Sequence, residues 1–209
     1  MVIADQLRER ILDGVYRQGQ QLSEANLAAQ LEISRGPVRE ALQRLAQEGL
    51  LVSRRNRGVF VIELSAFDIA EIYAVRESVE TAAARIIFEL PTAERKQILD
   101  RLAVIVAKMP PLIAAGDWTG LAKLDLAFHT ELVAAAKNGR LDRIYATLAA
   151  ESRICMAQLE NAYPRPGALV DEHQHLIDAL AGDSWDDLAK AIHTHLSTAV
   201  DDLTSRMES

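Results

Sequence analysis

The sequence predicts a mainly α-helical protein in two parts: a winged helix-turn-helix head over residues 1–64 and an antiparallel six-helix bundle over residues 65–209. Three observations carry that prediction. Apolar residues recur at helical spacing between caps and stops along most of the chain. One short hairpin pattern, LLVSRR and GVFVI around Arg57-Gly58, interrupts it after the third helix. Beyond Leu64 no strand pattern appears, and Ala and Leu dominate, which favours helix.

In the head, Ile3, Leu7, Ile11 and Leu12 share one helical face, and Gly14 closes that helix. Ser23 offers a cap for a short helix whose Leu27, Ala28 and Leu31 face inward. After a turn at Glu32-Ile33, Ser34 offers a second cap. Pro37 then falls in the first helical turn, where its missing N–H has no partner to lose. Val38, Ala41, Leu42, Leu45 and Ala46 form the buried stripe of this third helix, and Gly49 stops it.

The body opens on Ser65, the cap of a long helix running to about Glu89 and ended by Pro91. Further helices are expected over 92–115, 117–137, 140–162, 168–181 and 184–207. Their breaks are Pro110-Pro111 with Gly116, Asn138-Gly139, the run PRPG at 164–167, and Gly182-Asp183. Six helices with short connections imply an antiparallel bundle large enough to bury its own core.

Charge is unevenly spread. The net charge is −7, from 23 basic and 30 acidic residues. Nine of the basic and eight of the acidic residues lie in residues 1–64, leaving 14 against 22 in the body. A near-neutral head on an acidic body excludes a chain that binds polyanions over its whole surface, and leaves room for a local cationic face. The one cysteine, Cys155, allows no intramolecular disulfide and suits a reducing compartment. The charged first turns are unlike a signal peptide, and no apolar run approaches the ~20 residues of a membrane span. A soluble, cytoplasmic protein is expected.

With the apolar stripe of the third helix turned inward, Arg35, Gly36, Arg39, Glu40, Gln43 and Gln47 face outward. Small and donor-bearing residues near a helix N-terminus suit insertion into a DNA major groove. Arginine can donate two bonds to guanine O6 and N7, so Arg35 and Arg39 are the candidate base readers. Ser34 and the flanking arginines suit phosphates, which position without specifying. Arg54, Arg55 and Arg57 beside Gly58 make the hairpin tip a candidate wing. Surface arginines on a solvated helix are common; the order of the elements favours DNA.

All five histidines lie in the body. Helical phase turns His129, His173 and His195 inward, together with Asp125 one turn before His129, and turns His175 and His193 outward. Buried ionisable groups are costly without partners. Two explanations stand: core imidazoles satisfied by hydrogen bonds, or a divalent-metal site of Asp125, His129, His173 and His195 with one or two positions open to water or ligand. Zinc is the expected ion, with nickel or manganese as alternatives. In the first body helix Arg76 and Glu80 fall within an apolar stripe. Either they form an i,i+4 pair bridging helices, or Arg76 offers its planar fork to a carboxylate ligand.

The stretch LSEANLAAQLEISRGPVREALQRLAQEGLLVSRRNRGVFV, residues 22–61, resembles the GntR family of bacterial transcription regulators. That resemblance implies a homodimer on a short palindromic operator, with DNA contacts at Arg35, Arg39, Arg44 and Gly58. Gln18 stands where the family usually has proline before Gly19, a departure confined to a turn. AVRESVE, DLAFHTEL, DEHQHLIDAL and AIHTHL are similar to motifs of the all-helical effector (FCD) domain of the FadR subgroup, and six expected helices resemble its smaller, VanR-like branch. In metal-containing members the positions matching Asp125, His129, His173 and His195 bind a divalent ion. The resemblance therefore implies a small organic-acid effector, coordinated to the metal and held by Arg76. Asn138 matches an asparagine that caps the next helix, and Ser152, inward on the fourth body helix, is a candidate pocket-wall residue.

These readings converge on a metabolite-responsive regulator that is not an enzyme, with repression as the expected output. Two rivals remain: a metalloenzyme that activates a metal-bound water for hydrolysis, and a bundle that only dimerises, its histidines structural.

Overall fold

The helix that follows the hairpin starts at a capping box. In the computed structural model, which describes residues 2–158 and 165–205, the Ser65 hydroxyl accepts from the Asp68 backbone N–H at 3.2 Å, and the Asp68 carboxylate accepts from the Ser65 N–H at 2.7 Å. Before that cap lie α1 (Val2–Leu12), β1 (Gln21–Leu22), α2 (Glu24–Gln30), α3 (Arg35–Gln47), β2 (Leu51–Arg54) and β3 (Gly58–Val61). The Ser23 hydroxyl accepts from the Asn26 N–H at 3.4 Å and so caps α2. Ser34 occupies the cap position of α3 but makes no side-chain cap bond.

The strands form one antiparallel sheet in the order β1-β3-β2, with Leu51 opposite Val61 and Arg54 opposite Gly58. The two-residue β1 is an addition to the expected hairpin, because a pair of residues is too short to show a period of two. It puts Gln21 beside the wing tip, where its Nε2 donates to the Arg57 carbonyl at 2.7 Å. Gly58 has φ +102°, which is why the tip needs glycine; a Cβ there would also lie 2.8 Å from Gln21 Nε2 and push that flexible side chain off its bond to Arg57. Leu7, Ile11, Val38, Leu42, Leu45 and Val61 fill the core beneath.

Seven helices follow among the described residues: α4 (Ala66–Phe88), α5 (Thr92–Val106), α6 (Met109–Ala115), α7 (Trp118–Ala135), α8 (Gly139–Gln158), α9 (Pro166–Ala181) and α10 (Trp185–Thr204). The expected helix over 92–115 is thus two. Pro110 and Pro111 lie in the first turn of α6; in one continuous helix their rings would meet the carbonyls of Val106 and Ala107. The expected helix ends at 162 and 207 lie outside the described residues. Asn138 caps α8, its Oδ1 accepting from the N–H groups of Arg140 and Leu141 at 3.1 and 3.4 Å.

Helix α4 is the body's axis and packs against α7, α8 and α10, while α5 lies on α7 and α9. No helix of the described residues is long and apolar enough to cross a membrane. The head is not tethered by the linker alone. Helix α1 packs on α8, and Ile154 of α8, fully buried, joins the core of the head. Arg153 beside it pairs with Glu9 at 2.9 Å and with Asp13, and Lys123 of α7 reaches Asp13 at 3.0 Å.

Candidate metal centre and DNA-reading face

Asp125 and His129 stand one turn apart on α7, His173 comes from α9 and His195 from α10. All four are buried, and one donor atom from each lies within 4.8 Å of all the others. The phase-based division of the histidines holds in the structure: His175 and His193 are exposed, and His193 pairs with Glu77 at 3.0 Å.

Each inward ring is gripped from its far side. Nδ1 of His129 lies 2.7 Å from Glu80 Oε2, Nδ1 of His173 lies 2.8 Å from the Leu169 carbonyl, and Nδ1 of His195 lies 3.1 Å from Glu172 Oε2. Carbonyls and carboxylates only accept, so all three Nδ1 atoms carry protons when the rings are neutral. The three Nε2 lone pairs then point at one another and at Asp125. His129 Nε2 and His195 Nε2 are 3.1 Å apart, and His173 Nε2 is 3.2 Å from Asp125 Oδ1. His173 Nε2 is buried without a hydrogen-bond partner among the described residues. Converging lone pairs, one carboxylate and an orphaned nitrogen fit a divalent cation, and the Nδ1 contacts are the outer support that metal-bound histidines use.

Electrostatics agree. Burial alone would raise the Asp125 carboxyl, but the electrostatic pull of the surrounding imidazoles of His173, His129 and His195 carries it far below the usual carboxylate range. Glu80, likewise desolvated, is brought down to about 2 by His129 and Arg76. Burial pushes His195 down to about 4 against the pull of Glu172, so at neutral pH its Nε2 is free to ligate.

A cavity of about 50 Å³ opens beside these ligands, lined by Tyr73, Arg76, Asp125, His129, Glu172 and His195 among others. Arg165 and Asp202, paired at 3.2 Å, also line it. Arg76 is 1% exposed; its Nε donates to Glu80 Oε1 at 3.0 Å and its guanidinium stacks 4.6 Å from the Tyr73 ring centre. The two sequence readings of Arg76 are therefore compatible, since it is paired with Glu80 and also faces the cavity. Ser152 is not on the cavity wall. It stands behind Arg76, whose Nη1 donates to its hydroxyl at 3.3 Å.

At the other end of the chain, Ser34, Arg35, Gly36 and Arg39 are exposed at the start of α3, and Arg54, Arg55, Arg57 and Gly58 are exposed on the wing. Arg39 is held by Glu24 of α2, Nε to Oε1 and Nη2 to Oε2, each at 3.0 Å. Arg44 pairs with Glu48 at 2.9 Å, which Arg8 also holds at 2.9 Å. Residues 2–61 match the family model described as "Bacterial regulatory proteins, gntR family", and residues 71–198 match the FCD domain.

The chain belongs to the GntR family of bacterial transcription regulators.

The GntR assignment extends over the full length. The chain is 32% identical to the gluconate operon transcriptional repressor of Bacillus licheniformis, covering 99% of this chain and 84% of that protein. It is 30% identical to the Nta operon transcriptional regulator of Aminobacter aminovorans, over 90% of this chain and 86% of the relative. A crystal structure of a GntR transcriptional regulator from Rhodococcus sp. RHA1 superposes with a TM-score of 0.83 at 30% identity, covering 97% of this chain and 96% of that one. Four features of this GntR chain escaped sequence reasoning: Tyr145, Glu172, the Leu169 carbonyl, and the contact of Glu80 with His129. Helical phase gives the direction of a side chain but not which residue on another helix it meets. The only signal for Glu172 was its place directly before His173.

Proposed function

We propose that this GntR regulator is a metabolite-responsive repressor that works as a homodimer on a palindromic operator. Residues 1–64 form its DNA-binding domain and residues 65–209 its ligand-binding and dimerisation domain. Arg35 and Arg39 read base edges, while Ser34, Arg44, Arg57 and Gly58 meet the sugar-phosphate backbone or minor groove. Repression is supported by the gluconate operon relative, which is named a repressor.

In the body, Asp125, His129, His173 and His195 hold a divalent ion, zinc before nickel or manganese. That ion supplies a Lewis-acidic anchor for an organic-acid effector. Arg76 faces the same cavity and offers its guanidinium to the effector's carboxylate, with Ser152 and Tyr73 fixing the guanidinium. The cavity, at about 50 Å³, has room for a few waters at ~10–15 Å³ each, a size that suits a small acid better than a sugar. The observation that carries the reading is the cavity lined together by Arg76 and three of the four donors, Asp125, His129 and His195, with His173 packed against them behind its wall.

The test starts with metal content. Protein purified without chelator should carry about one divalent ion per chain, and Asp125→Ala none. Small mono- and dicarboxylates should raise the melting temperature of the loaded protein only, since a ligand that binds the folded state alone stabilises it. Equal shifts in loaded and stripped protein would defeat the metal-anchored reading. Metal-dependent hydrolysis of the same acids would favour the enzyme rival instead.

A further inference from the structure

Glu80 stands between the two halves of the candidate site. Its Oε1 accepts from Arg76 Nε at 3.0 Å and from the Tyr145 hydroxyl at 2.9 Å, and its Oε2 accepts from His129 Nδ1 at 2.7 Å. The residue is 1% exposed, so no solvent can take over any of these bonds. Three donors from three helices, α4 itself, α7 and α8, converge on one carboxylate. We propose that Glu80 is the joint between metal and effector: it holds His129 in the tautomer that presents Nε2 to the ion, and with the same carboxylate sets the Arg76 fork at the cavity. The inference rests on the metal reading above and adds a positioning residue to it.

The chemistry of the joint is that of an acceptor-only group. A carboxylate can satisfy an imidazole Nδ1–H, a guanidinium and a phenol at once. Anything that changes the pull on Oε2 changes the bond at Oε1, so ion and effector affinities are linked, and by thermodynamic necessity equally in both directions. An amide breaks the arrangement because it has one accepting and one donating end. If the oxygen of Glu80→Gln stays on Arg76 and Tyr145, its NH2 faces His129 Nδ1. The ring proton must then move to Nε2, and that tautomer cannot ligate. If the oxygen turns to His129, the NH2 opposes the Arg76 Nε–H. The variant thus sets the two sites against each other, and removing Arg76 should release the conflict.

Full-length wild type, Glu80→Gln, Arg76→Met and the double variant would be titrated with Co²⁺ alone, by calorimetry and by the visible absorption of the bound ion. Glu80→Gln should bind cobalt at least ~10-fold more weakly, the usual effect of losing an outer partner of a metal-bound histidine. Adding Arg76→Met to Glu80→Gln should recover at least ~5-fold of that loss, because the amide can then turn its oxygen to His129. Affinity of Glu80→Gln equal to wild type would overturn the joint, and so would a double variant no tighter than Glu80→Gln. Wild type that takes up no cobalt would remove the metal reading and the inference together, whereas the Glu80→Gln comparison tests the inference alone. Circular dichroism checks that each variant folds. Nitrogen NMR of the histidines in metal-free wild type needs no variant: a protonated Nδ1 on His129 is expected, and a protonated Nε2 overturns the proposal.

Discussion

Arg39 meets Glu24 through its Nε and Nη2 edge, which leaves the Nη1 side of the fork turned to solvent at the start of α3. That pair is exposed and adds little stability, so its worth lies in aiming the guanidinium. Arg39→Ala should weaken operator binding by ~1–3 kcal/mol and random-sequence binding by less, as read by anisotropy on both DNAs. Equal losses would mean Arg39 touches phosphate only. At the candidate metal centre, His195 is held at about 4 when folded, against 6.5 when unperturbed. The unfolded chain therefore takes up a proton first as pH falls. The metal-free protein should lose stability progressively from about pH 6.5 to pH 4, and Glu80, held at about 2 against 4.5, extends the loss below that. Thermal melts with chelator from pH 7.5 to 4.5 check this; a melting temperature that rises on acidification would contradict it. Residue types and helical phase made Asp125, His129, His173, His195 and Arg76 legible in the sequence. Their partners Glu172 and Tyr145 were not, because a contact between helices has no local period.

Helix α3 and the wing were legible as elements because caps, apolar stripe and turn chemistry all agreed on them. The Pro110-Pro111 pair was seen as a break, but its position inside α6 depends on which residue takes the first helical turn. Strand β1 left no trace in the sequence beyond Gln21 and Leu22 themselves. It matters nonetheless, because Gln21 locks the wing tip against Gly58. Gly58→Ala should cost about 1–3 kcal/mol through its positive φ, measured by denaturant unfolding. An unchanged midpoint would show that the wing relaxes freely.

Over the whole molecule, α8 serves both parts. Its Ser152 backs Arg76 in the body, and the next two residues, Arg153 and Ile154, clamp Glu9 and Asp13 and fill the core of the head. A shift of Arg76 on effector binding would thus bear on the seat of the head through one rigid helix. Ile154→Ala should destabilise by ~2–5 kcal/mol and loosen head from body, weakening the effector's control of DNA while sparing metal uptake. The central claim is that DNA affinity answers to an acid held jointly by metal and Arg76. The most direct measurement is anisotropy of operator DNA bound to metal-loaded protein, titrated with small carboxylates, then repeated with chelator and with His129→Ala. At least one acid should release the operator from the loaded wild type and none should do so in the other two; release that is identical in all three would rule out a metal-held effector.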